Sequence, residues 1–126
     1  MSLDIYLTEA EQTIELCTCQ CCDNEHVRKY FRQIVSFNLT HNLGRMATLA
    51  GVYDALWRPD ENGIDTAEQM IDILKGGIEK LQSDPEKYKK LNPSNGWGSY
   101  DGLLKVLREY LDACEDNPTA KIEVWR

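Results

Sequence analysis

The chain contains no apolar run near the roughly 20 residues that a membrane-spanning helix needs. Its first residues, Met1-Ser2-Leu3-Asp4-Ile5-Tyr6-Leu7, lack the basic start and apolar core of a secretory signal. A cytosolic location, with no membrane contact, is therefore the expectation. An excess of positive charge is missing too: 21 acidic residues stand against 14 basic ones, for a formal charge of -7. A protein that gains affinity by neutralising phosphates needs the opposite balance, so direct nucleic-acid binding is not expected. The chain has no paired-carboxylate motif, no G-x-S-x-G, no H-E-x-x-H and no phosphate-cradling P-loop. These absences argue against catalysis. With no internal repeat, low-complexity segment or linker, residues 1–126 read as one domain.

What is present fits a globular chain: 42% hydrophobic and 28% charged residues, enough for a core without staples. The acidic balance by itself accounts for solubility. It also suits docking on a basic partner protein, with association faster at low salt. Five cysteines are an odd number, which in a reducing compartment favours thiols or metal ligands over a disulfide frame. Cys114 falls on the apolar face of a predicted helix and reads as core.

Alternation of apolar and polar residues predicts strands over Leu3–Leu7 and Thr13–Cys19, and a β-rich run follows from His26 to Phe37. The last two form a hairpin with the cysteines near its tip. From Thr40 the period lengthens to about 3.6. Leu43, Met46, Ala47, Ala50, Tyr53 and Trp57 then share one side of a first helix, with Asn38 or Thr40 as its cap. Arg58-Pro59 ends it. A second helix carries Ala67, Met70, Ile71, Leu74, Ile78 and Leu81. The Gly76-Gly77 pair within it costs about 1 kcal/mol per glycine, which implies a bend or a close approach of backbone. Asp84-Pro85 starts a short extra turn. A third helix from about Ser99 to Glu115 carries Leu103, Leu104, Leu107, Tyr110, Leu111 and Cys114, and Ala120–Trp125 alternates as a final strand. The expected fold is α+β: a small antiparallel sheet of three N-terminal strands plus a C-terminal strand, with three helices on one face. An edge strand near Lys121–Trp125, or the cysteine hairpin, could pair between copies of the chain.

Three groups of residues could carry function. Cys17, Cys19, Cys22 and His26 sit close enough in sequence to supply four tetrahedral zinc ligands from a hairpin tip, in a closed structural site. Free thiols on a hairpin explain the same residues. The segment Asn38-Leu39-Thr40-His41-Asn42 opens a helix, where unpaired amides and the positive dipole end favour an anion. Thr40, His41, Asn42 and Arg45 could each donate to phosphate or carboxylate oxygens. Capping alone also accounts for the segment. Arg58 offers a bidentate fork to a phosphate, and Asn95, Trp97 and Tyr100 offer stacking faces and hydrogen bonds to a ring. A tryptophan plugging a gap between helices is the plainer account of that loop. His41 could act as a general base, though no partner for it is legible.

The runs Asn38-Leu39-Thr40-His41-Asn42-Leu43, Leu56-Trp57-Arg58-Pro59, Asn92-Pro93-Ser94-Asn95-Gly96-Trp97-Gly98-Ser99-Tyr100 and Tyr110-Leu111-Asp112-Ala113-Cys114 span most of the chain. Together they resemble a family of short uncharacterised phage and bacterial proteins. The resemblance implies a phage or mobile-element context, hence the cytosol of a host, and implies no catalytic residues. From these residues the expectation is a small non-catalytic binding protein that sequesters an anionic, nucleotide-derived ligand in an anti-defence role. The alternatives are an acidic inhibitor of a host protein, acting by nucleic-acid mimicry, and a small enzyme built on His41.

Overall fold

A computed structural model describes residues 2–17, 26–94, 96 and 98–126. Two long strands, β1 (Ser2–Cys17) and β2 (His26–Thr40), form an antiparallel hairpin, and β3 (Lys121–Trp125) pairs antiparallel with the other side of β1. The sheet order is β2-β1-β3. Its core face follows from a period of two: Leu3, Ile5 and Leu7 on β1 and Leu39 on β2 are buried, with Phe37 and Val35 packed beside them.

The fold is α+β, as the alternation and helical periods indicate. Its strand count differs. The expected strand at Leu3–Leu7 and the described part of the one expected at Thr13–Cys19, up to Cys17, are parts of one strand, so the sheet has three strands among the described residues. The cause lies in the register. Leu7 pairs with Val35, Thr8 with Gln33, and Gln12 with Phe31. Ile34 is an extra residue on β2, and Glu9-Ala10-Glu11 face a shorter stretch of it. Bulges of this kind bend a ladder without ending it, and in a sequence they imitate a strand end.

β3 reaches only as far as the Thr8↔Lys121 pair. Beyond it, from Gln12↔Phe31 to Cys17↔His26, the hairpin continues as a two-stranded ribbon. On it Ile14 is 63% exposed and Phe31 45%, and at the bulge just before it Ile34 is 37% exposed.

Among the described residues the α-helices that cover one face of the sheet are α1 (Gly44–Leu49), α2 (Tyr53–Trp57), α3 (Ala67–Ser83) and α5 (Tyr100–Asp116), with the short α4 (Pro85–Lys89) packed on α3 and α5. The first expected helix is broken into a 3-10 turn (His41–Leu43), α1 and α2, because Gly51 adopts φ +78°, a left-handed conformation that stops a helix. α3 and α5 lie where the periodicity puts them. Gln69 Oε1 accepts from the Thr66 amide at 3.1 Å and so caps the start of α3, and Ser99 Oγ accepts from the Gly102 amide at 3.1 Å, so α5 starts at its expected residue. Pro85 opens α4 behind an Asp84 cap. The α3 and α5 stripes, Met70, Leu74, Leu81, Leu103, Leu107 and Tyr110, meet the sheet in one core. Tyr110 stacks on Phe37 at 5.3 Å, and burial pushes its hydroxyl pKa up. Burial likewise pushes the Cys114 thiol up to about 12, which keeps it an inert core residue.

Candidate functional site

The residues singled out in the sequence occupy several separate places. Asn38 lies in β2 and caps nothing; its Nδ2 donates to Asp4 Oδ1 at 2.6 Å and to Ser2 Oγ at 3.0 Å, tying the two strands together. Thr40 is the cap, though of the 3-10 turn: its Oγ1 accepts from the Asn42 amide at 3.4 Å and from Asn42 Nδ2 at 3.2 Å. Both polar groups of this segment are thus engaged locally.

His41 is turned to the core. Its Nδ1 accepts from the Trp57 indole Nε1 at 2.8 Å, while the Trp57 ring stacks on Tyr53 at 5.1 Å with the planes 14° apart. Because Nδ1 accepts, Nε2 carries the proton in the neutral ring. The lone pair a general base would use is already bound. His41→Ala is expected to cost about 1–3 kcal/mol of stability, because it leaves the buried indole N–H without a partner. His41→Gln, which can supply an acceptor, should recover part of that loss. Urea denaturation of the two variants checks this, and equal stabilities would show that the bond does not matter.

Arg58 is exposed and forks to Glu61, at 3.1 Å to Oε2 and 3.3 Å to Oε1. The bond to Glu61, with a smaller contribution from Tyr53, raises its pKa further. Arg45 is exposed on α1. Tyr100, expected as a stacking face, is only 4% exposed; its hydroxyl donates to the Leu81 carbonyl at 2.7 Å and its ring belongs to the core. The first position of α5 carries it inward, because it begins the apolar stripe that Leu103, Leu104 and Leu107 continue. Asn95 and Trp97 lie outside the described residues, as do Cys19 and Cys22. The hairpin register does set Cys17 opposite His26, so two of the four candidate zinc ligands occupy facing positions.

Two of the motifs do converge. Gly98, at φ +99°, packs so closely that a Cβ there would lie 2.7 Å from Thr40 Cγ2 and 2.9 Å from Leu43 Cγ. The loop before α5 therefore folds against the end of β2. Beside this contact runs a groove of about 400 Å³, lined by Asn38, Leu39, Thr40 and Leu43 on one side and by Gly98, Ser99, Gly102, Lys105, Val106 and Glu109 on the other. Neither Arg45 nor Arg58 lines it. Its lining holds one cation, Lys105, and one carboxylate, Glu109. The α5 residues were missed in the sequence because the helix was weighed only by its apolar stripe. Their spacing of three and four was nonetheless present, and it places them on one side of the helix.

A second cluster holds the end of the sheet. Arg126 Nη1 donates to the Trp57 carbonyl at 3.0 Å and to Asp60 Oδ1 at 2.8 Å. The bond to Arg126 lowers the Asp60 pKa below the usual carboxylate value. The charge pair is therefore present above the ordinary carboxylate range and is lost as pH falls through the lowered value.

No helix among the described residues is long and apolar enough to cross a membrane. Comparison with known proteins finds no family model, no curated protein and no solved structure that matches the chain.

Proposed function

We propose that this protein acts by binding a partner protein, and that the β1–β2 ribbon is the principal surface. The carrying observation is the exposure of Ile14 and Phe31 on a two-stranded extension that the helices do not cover, with Ile34 exposed at the bulge just before it. A two-stranded ribbon is marginal alone, and apolar side chains displayed on one are better accounted for by contact than by stability. In the phage setting that the sequence resemblance implies, the partner is a host protein. The exposed acids of α3 and α5, among them Glu68, Asp72, Asp101 and Asp116, suit a basic site on it.

Immobilised protein is expected to retain one partner from host lysate, and to lose it when Ile14→Glu or Phe31→Glu is introduced. Both positions are exposed, so unchanged circular dichroism is the control for folding. A partner held equally well by the ribbon variants would exclude the ribbon, and no partner at any salt concentration would exclude the proposal.

A second reading rests on the groove. Thr40 and the Gly98–Gly102 segment meet there beside Lys105, so a small anionic, nucleotide-derived ligand has one cation and the α5 amides to approach. The scatter of Arg45, Arg58 and Tyr100 removes most of the contacts first expected for it. Calorimetry against a nucleotide panel, with Lys105→Ala as control, decides it: heat that is unchanged in the variant counts against this groove.

A further inference from the structure

The sheet treats its two edges differently. On the outer edge of β3, the Ile122 amide donates to the Asp65 carbonyl at 3.0 Å, and Thr66 bridges to Lys121, so the segment before α3 covers that edge. The outer edge of β2 has no such cover. Over residues 31–40 no backbone hydrogen bond beyond the pairing with β1 is formed among the described residues. Unpaired strand groups in a row are a template for another strand. The groove lies at the end of this edge, between the last residues of β2 and one side of α5, with Leu43 and Val106 as apolar lining. A free strand edge beside a helix is the geometry in which peptides add as a strand: main-chain bonds give affinity, and a flanking pocket reads a side chain.

Charge selects the occupant. Over residues 31–40 β2 carries Arg32 and no acidic residue, in a chain whose overall charge is -7. Over the facing residues 2–12 β1 carries Asp4, Glu9 and Glu11 and no basic residue, and the register sets Glu9-Ala10-Glu11 across from Arg32. Opposite charges across a strand pair stabilise it, and like charges oppose it. The inner neighbour of β2 is thus an acidic strand, and its outer neighbour is expected to match.

We propose that the open edge of β2 takes up an extended acidic segment of a partner protein as an added strand, with one apolar side chain of that segment seated in the groove between β2 and α5. This deepens the protein-binding proposal above and rests on it.

The test uses the whole protein and a labelled peptide of alternating glutamate and valine, about ten residues long, the upper length of ordinary strands. Fluorescence anisotropy at low salt should show binding that weakens about tenfold in Arg32→Glu and in Lys105→Glu, since each turns an attraction into a repulsion. Alternate amides over residues 31–40 should exchange more slowly when the peptide is bound. A lysine-valine peptide and a peptide N-methylated along one edge should not bind. Absence of binding by the glutamate peptide would overturn the proposal, as would equal binding of the N-methylated one, which would leave only charge attraction. A salt-resistant dimer in native mass spectrometry of the free protein would make a second copy the occupant and overturn it as well. Lysate capture that survives Arg32→Glu and Lys105→Glu but fails in Phe31→Glu would remove strand addition and leave the ribbon reading intact.

Discussion

Trp57→Ala is expected to lower the unfolding free energy by about 3–5 kcal/mol, the range for deleting a large buried aromatic side chain. Trp57 closes α2 and is 3% exposed. Removing its ring leaves a cavity over Tyr53, the ring it stacks on. The same change strands the His41 Nδ1 acceptor. Trp57→Phe separates these effects, since it keeps an aromatic face and loses only the indole N–H. That variant should lose about 1 kcal/mol plus a smaller packing term, because His41 is partly exposed and water can reach its nitrogen. Urea midpoints at constant m-value give both numbers. A loss below about 1 kcal/mol for Trp57→Ala would mean that the side chain is a surface cover rather than part of the core.

Gly77→Ala and Gly76→Ala should move stability in opposite directions although the residues are neighbours in α3. Helix propensity favours alanine by about 1 kcal/mol at either position. At Gly76 a Cβ would meet nothing within 4 Å, so the gain should appear nearly whole. At Gly77, which is buried, a Cβ would collide with Val52 Cγ1 and approach the Ala50 carbonyl at 3.7 Å. Overpacking of that kind costs about 1–3 kcal/mol, so the net effect should be destabilising. Val52 lies just after the turn at Gly51, and the collision would push α2 away from α3. Two stabilised variants, or two destabilised ones, would contradict this packing.

The glycine pair shows how far the sequence could be read. Its cost within a helix called for a close neighbour, and the structure supplies one, a side chain, at only one of the two glycines. Which one depends on where α2 lies, and no local pattern carries that information. α3 and α5 are legible because their apolar stripes keep the helical period, and α5 also because the polar Ser99 stands at its start. The break at Gly51 is hidden in the sequence, because the apolar period runs through it without interruption. The bulges near Thr8 were read as a strand end because both features interrupt alternation. Among the candidate site residues, sequence placed Thr40 correctly as a cap. It could not foresee that Trp57 would occupy His41, that Tyr100 would turn inward, or that Lys105 would stand beside Thr40. Each of those outcomes depends on elements distant in the chain.

β1 has one neighbour close behind it in sequence and another, β3, more than a hundred residues later. The hairpin with β2 can therefore form early, while the second ladder must wait until residues 121–125 have been made. During synthesis the row Leu3, Ile5 and Leu7 would stand without the helices that later bury it. Distant pairings of this kind slow folding, and the waiting species exposes apolar strand surface. Order of arrival then becomes a hazard as well as a route: a nascent chain paused after β2 would be prone to aggregation until the helices and β3 arrive.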